Sequence, residues 1–315
     1  MMGLLLIRDK IKNFYGRHEF WTMAAIKFVL VFVGMLLIKN SIGYMDSIEK
    51  IPMILAISLL CAFIPVSLVI LIMAIIILAN IYVLSMQLAI TVLGILLVMF
   101  ILYFRFSPKE GIVLIITPML FFLKVPYLIP LAVGLVGTPL SIVAVAFGTV
   151  SYYMIHIISA NAATIRNAET GSFTAQIEYF LNLLVNNKAM IMTIAIFMVV
   201  IVIVYSVKRM SINNSWATAV GVGGVLELIM FIAGNVVIKT GEGLAVIVVG
   251  WVISIVLAFA LQFFIFSVDY SRTEHTQFED DEYYYYVKAV PKINVIAPEM
   301  NIKRINAQRN NRKQK

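Results

Sequence analysis

The sequence predicts an all-α, polytopic integral membrane protein, and three observations carry that prediction. Of the 315 residues, 62% are hydrophobic and 13% charged, whereas roughly a quarter of a soluble domain is charged. The runs 189–206 and 244–266 hold no charged residue and are long enough for a hydrocarbon core, which takes about 20 helical residues. The period-2 alternation of a membrane β-barrel is absent, so the backbone groups in lipid must be satisfied within helices. Together the pattern gives about eight to ten hydrophobic segments in a transmembrane domain over 23–267.

Residues 1–22 precede that domain. Leu4, Ile7, Ile11, Phe14 and Tyr15 fall on one helical face, with Arg8, Lys10, Lys12 and Arg17 elsewhere. That spacing reads as an amphipathic helix lying in the membrane interface. It is not a cleaved signal, because its apolar residues come before its basic ones. A first span follows over 24–43, with Lys27 placed to snorkel to the surface.

Two crowded apolar blocks come next, 51–104 and 111–158, separated by RFSPKEG. Each opens with a short segment broken at a proline, Pro65 in one and Pro126 in the other. Each continues past further interruptions. These are Asn80, Ser85 and Gln87 in the first block, and Pro130, Gly134, Gly137, Thr138 and Pro139 in the second. Basic residues cluster at the N-terminus, at Arg105 and Lys109, at Lys208 and Arg209, and in the tail. By the positive-inside rule both termini are cytoplasmic in a cell (inner or plasma) membrane. Each block then makes an odd number of crossings, and the two run in opposite senses. The pattern makes them a candidate inverted repeat of broken or re-entrant helices. Paired Pro/Gly-interrupted segments are the sequence pointer to a transporter's central site. Broken helices free backbone groups that have to be buried or turned to a water path.

An amphipathic extracytoplasmic stretch, 161–188, follows, in which Ile177, Phe180, Leu181 and Leu184 keep helical spacing. Three spans close the domain over 189–206, 215–238 and 244–266. Within the second of these, Glu227 is the acidic residue deepest in any span, where a carboxylate costs about 2.5–3.5 kcal/mol. Gly223 and Gly234 lie on nearly the same face as each other and imply close helix packing. Lys124, at the break of the second block, is the cation that would pair with Glu227.

The residues expected to line a path are therefore Glu227, Lys124, Pro65, Pro126, Pro130, Gly134, Gly137, Pro139 and Asn80. Ser151 and His156 raise an intramembrane hydrolase, but no third group or oxyanion site accompanies them. No nucleotide-binding or zinc motif is present, Cys61 is the lone cysteine, and the three histidines lack ligand spacing. The sequence thus points to no enzyme, no cofactor and no metal.

Residues 268–315 form a polar cytoplasmic tail. Its tyrosines Tyr283, Tyr284, Tyr285 and Tyr286 begin a strand-like stretch reaching Val295, broken at Pro291. Its polybasic end, Lys303, Arg304, Arg309, Arg312, Lys313 and Lys315, suits anionic lipid headgroups. A cytoplasmic protein or a second copy of the chain is the other partner expected; nucleic acid is not, for want of a folded reader module. The leading expectation is a transporter or transport-system permease moving a small solute or ion, coupled through Glu227. The alternative is a non-catalytic scaffold whose tail recruits partners to an envelope or secretion assembly.

Overall fold

A computed structural model describes residues 2–45, 48–167, 173–212, 214–238, 243–265, 274–279 and 283–289. The chain forms two compact units, Lys10–Phe266 and a second made of Met1–Asp9 with Ser267–Lys315. The helices are α1 (Met2–Arg17), α2 (Glu19–Ile42), α3 (Ile51–Phe63), α4 (Val66–Leu84), α5 (Met86–Phe106), α6 (Gly111–Phe122) and α7 (Leu128–Val136). They continue as α8 (Ser141–Ala160), α9 (Ala162–Asn167), α10 (Phe173–Val185), α11 (Lys188–Lys208), α12 (Ser215–Ile238) and α13 (Leu244–Ile265). Seven of them, α2, α4, α5, α8, α11, α12 and α13, are long and apolar enough to cross a membrane.

Each crowded block resolves into three helices, α3 to α5 and α6 to α8, broken where Pro, Gly or Ser interrupts the apolar run. Pro65 is the residue that starts α4, a place where the missing N–H costs no helical bond. Ser85 separates α4 from α5 and accepts from the Leu88 amide at 3.4 Å.

Contacts between helices fix their directions. The Phe63 ring meets Phe20 and Trp21, and Lys27 Nζ donates to the Ile64 carbonyl at 2.9 Å. The end of α3 therefore lies beside the start of α2, an end of the bundle termed near. Asn80 Oδ1 accepts from the Tyr44 and Met45 amides at 3.0 and 3.1 Å, so α4 climbs to the far end, where α2 finishes. α5 returns to the near end, since Gly111, at the start of α6, abuts both Val66 of α4 and Tyr103 of α5. Block 51–104 thus runs from far to near in three passes. α8, α11, α12 and α13 then alternate, so that the start of α2 and the end of α13 share the near end.

The second block is built differently. Ser107 Oγ donates to the Leu140 carbonyl at 2.6 Å, which sets the start of α6 beside the start of α8. Lys208 Nζ donates to the Leu135 carbonyl at 2.8 Å, which sets the end of α7 beside the end of α11. Both feet of the α6–α7 hairpin therefore stand at the near end. At its turn, Phe121 stacks on Tyr152 with ring centroids 4.6 Å apart and meets Phe197 at 5.8 Å. Tyr152 and Phe197 are close to the midpoints of α8 and α11, so the hairpin turns back halfway along the bundle. α6 has 12 residues and α7 nine, too few to cross at about 1.5 Å per residue.

Two packed clusters carry the bundle. One gathers Val31, Met35, Ile81, Val92 and Ile158 from α2, α4, α5 and α8; the other gathers Leu131, Leu135, Phe197, Val200 and Val220 from α7, α11 and α12. Small residues set the closest approaches. A Cβ on Gly134 would stand 2.7 Å from Val204, one on Gly223 would also run into Val204, and one on Gly234 would run into Met192 Sδ. Gly223 and Gly234 both abut residues of α11. Phe180 and Leu184 are buried, and α10 lies against α5 and α8, as its periodicity requires. Leu97 and Ile101 on α5, Val225 and Ile229 on α12, and Val249 and Val256 on α13 are exposed. Large apolar side chains exposed in such number suit contact with lipid.

The second unit holds an antiparallel hairpin, β1 (Glu274–Glu279) with β2 (Tyr284–Ala289), in the register Glu274↔Ala289 to Glu279↔Tyr284. Tyr283 and Tyr286 are 62% and 76% exposed, so the tyrosine strand offers rings rather than burying them. β1 has too little apolar periodicity to be expected from sequence. The 290–295 stretch and Lys303, Arg304, Arg309, Arg312, Lys313 and Lys315 lie outside the described residues.

Candidate functional site

The hairpin turn, 123–127, is built by a helix-ending motif with an unusual residue in it. The Val125 amide donates to the Leu120 carbonyl and the Lys124 amide to the Phe121 carbonyl, both at 3.0 Å. This is the six-to-one and five-to-two pairing of a Schellman motif, whose left-handed residue is normally glycine. Here it is Lys124, at φ 63°. Pro126 cannot donate an amide and stands in the turn, while Pro130 sits buried in the first turn of α7, where a proline breaks little. A left-handed conformation costs a side-chain-bearing residue about 1–2 kcal/mol. Lys124→Gly is therefore expected to raise the thermal unfolding midpoint in detergent. A lowered midpoint would mean that the lysine side chain is part of the packing.

Above the turn lies a cavity of about 380 Å³. Its floor is Phe121, Lys124, Pro126 and Tyr127. Its walls carry Tyr152, Tyr153 and His156 from α8, Met192 and Thr193 from α11, and Phe231 from α12. Asn187, Asn235 and Gly243, at the far ends of α11, α12 and α13, continue the wall upward. The cavity is thus a vestibule running from the far end to mid-depth. Among the described residues Lys124 is its one charged lining residue, and it is exposed.

Carbonyls of the turn point the other way, at α13. A Cβ on Gly250 would stand 2.8 Å from the Lys124 oxygen, and Ser254 Oγ donates to the Val125 carbonyl at 3.5 Å. The vestibule therefore meets the lysine side chain of the turn while α13 covers its backbone acceptors.

Glu227 lies one helical turn from Gly223 on one side and Phe231 on the other, so all three share a face of α12. Gly223 abuts Leu131 of α7, and Phe231 meets the Tyr127 ring at 4.8 Å. That face is therefore the one turned to the hairpin. Glu227 is fully buried, and neither carboxylate oxygen has a hydrogen-bond partner among the described residues. The expected pairing of Lys124 with Glu227 is not formed: Lys124 is exposed and lines the vestibule, whereas Glu227 is fully buried and does not line it. An ionised carboxylate left so would cost several kcal/mol.

The other sequence-derived candidates separate. Gly134, Gly137 and Pro139 belong to the near-end foot of α7, where Gly134 packs on Val204 and the Gly137 carbonyl accepts from Lys208 at 3.4 Å. Pro65 turns the chain beside Trp21 and Lys27, and Asn80 clasps the end of α2; neither lines the vestibule. Ser151 donates to the Phe147 carbonyl at 2.9 Å and borders a smaller apolar cavity, away from His156. Five positions along a helix put the two on different faces, so they form no dyad. Sequence reasoning missed Tyr152, Tyr153, Thr193 and Phe231 as vestibule residues. The only signal was the aromatic pair preceding His156, which also fits plain packing. Among the described residues no group of three metal-binding side chains is present. No protein-family model, curated protein or solved structure matches the chain.

Proposed function

We propose that the protein is a membrane transporter, or the membrane-spanning permease of a transport system, and that the vestibule is the solute's way in. The observation that supports the reading most is the α6–α7 hairpin, whose turn is halfway along the bundle with a cavity of mixed polar and apolar lining directly above it. Short broken helices meeting at mid-depth are the arrangement in which transporters hold their solutes. In this reading the hairpin is re-entrant, the near end is cytoplasmic, and α7 with its packing on Val204 forms the closed gate below. Glu227 couples: a carboxyl without a partner beneath the site can take up a proton or a cation when the gate opens. The two blocks would then be unequal halves: the first makes three passes, of which α3, at 13 residues, is shorter than a span, and the second passes once.

Chemical access separates this reading from a scaffold. In a Cys61→Ala background, Met192→Cys on the vestibule wall is expected to react with a membrane-impermeant thiol reagent from the far face. Val204→Cys, below the floor, is expected to be protected in the resting protein. If Met192→Cys resists the reagent from both faces while loop cysteines react, there is no aqueous path. The scaffold reading, favoured by the exposed tyrosines of β2, would then stand, with the strand hairpin as the recruiting element through edge pairing.

A further inference from the structure

The vestibule's chemistry narrows what it holds. Among the described residues its one charged lining residue is a lysine, and no aspartate or glutamate lines it. No carboxylate among the described residues forms an ion pair with Lys124. A cation facing a partly enclosed cavity, with no counter-charge among the described lining residues, concentrates anions there, since low-dielectric walls focus its field. Asn187 and Gly243, which immediately precede α11 and α13, also line the space, and helix N-termini add partial positive charge. The walls are aromatic as well as polar. Phe121, Tyr127, Tyr152, Tyr153 and Phe231 all contribute rings. At roughly 30 Å³ per water the cavity holds the equivalent of about a dozen waters, room for a single-ring solute.

We infer that the vestibule binds an aromatic carboxylate, its carboxylate on the Lys124 ammonium and its ring among Phe121, Tyr127, Tyr152 and Phe231. This deepens the transport reading and rests on its assignment of the vestibule as the solute site. It also accounts for the left-handed lysine. The motif would be satisfied by glycine, but glycine would leave the cavity without a charge, and strained conformations that persist tend to mark functional positions. A lysine on the hairpin turn brings its ammonium to mid-depth without burying it in lipid, since polar side chains such as Thr193 and Asn235 share the vestibule lining. The ring edges of the walls carry partial positive charge, which complements the same ligand.

The test uses the full-length protein in detergent, titrated calorimetrically with benzoate and with benzamide, its uncharged counterpart of nearly the same shape. Benzoate is expected to bind at least roughly tenfold more tightly than benzamide. Lys124→Gln should abolish that preference and Lys124→Arg should keep it, with thermal unfolding confirming that both variants are folded. The inference is overturned if benzoate does not bind, if benzamide binds equally well, or if Lys124→Gln binds benzoate as the native protein does. The two readings fail separately. A thiol-accessible vestibule without benzoate binding removes the anion site and leaves the path. Benzoate binding to a protein whose Met192→Cys is unreactive removes the path and leaves the site.

Discussion

Glu227→Gln is expected to leave the helical unit folded while lowering solute-coupled proton or cation movement in proteoliposomes by more than about tenfold, the scale of loss when a proton-transferring group is removed. Glutamine keeps the volume and loses the ionisable group, so a folded but uncoupled protein is the result that separates carrying from packing. The companion variant Glu227→Leu is expected to raise stability. Neither carboxylate oxygen has a hydrogen-bond partner among the described residues, and an unsatisfied buried polar group costs about 1–3 kcal/mol. Replacing it with an apolar side chain of similar size removes that cost. A protein destabilised by Glu227→Leu would show instead that the carboxyl holds the helices together, and the coupling role would be lost with it.

The second large effect is expected at Gly250, where α13 presses on the hairpin turn. A Cβ alone would lie 2.8 Å from the Lys124 carbonyl and 3.0 Å from the Tyr127 ring. Gly250→Leu must therefore push the turn off α13 or twist it, at about 1–3 kcal/mol for overpacking. The vestibule floor moves with it, because Lys124 and Tyr127 are both floor residues. The expected outcome is a lowered unfolding midpoint together with loss of transport, and a smaller loss of both for Gly250→Ala. Unchanged stability and activity in Gly250→Leu would mean that the turn is not seated on α13.

These two residues illustrate what sequence could and could not convey. Glu227 was legible because a carboxylate in an apolar run is conspicuous by its insertion cost. Gly250 was not, since a glycine in a membrane helix is ordinary and only the neighbouring carbonyl makes it tight. The long helices were legible for the same reason as Glu227: 215–238 was expected as a span and α12 is Ser215–Ile238. Breaks at Pro65 and Pro126 were legible too, yet they proved to be different things. Proline removes an N–H wherever it falls, so its presence says that a helix stops and nothing about depth. Depth came from partners distant in sequence, Trp21 against Phe63 in one case and Phe197 against Phe121 in the other. The vestibule walls were hidden because Tyr152, Tyr153 and Phe231 follow the same spacing that core residues follow. Asn80 was misleading in the opposite way. A polar residue in a span suggested a path, and its side chain instead satisfies two backbone amides at the end of α2.

The proposed path depends most on a hairpin that enters at one end and turns at mid-depth beneath a vestibule open to the other. Single cysteines at Lys109 and Thr138, its two feet, and at Lys124, its turn, test this directly when introduced one at a time into the Cys61→Ala protein in sealed vesicles of known orientation. The account predicts that Lys109→Cys and Thr138→Cys react with an impermeant thiol reagent from one and the same face, and Lys124→Cys only from the opposite face. Feet labelled from opposite faces, or a turn labelled from the same face as its feet, would contradict it.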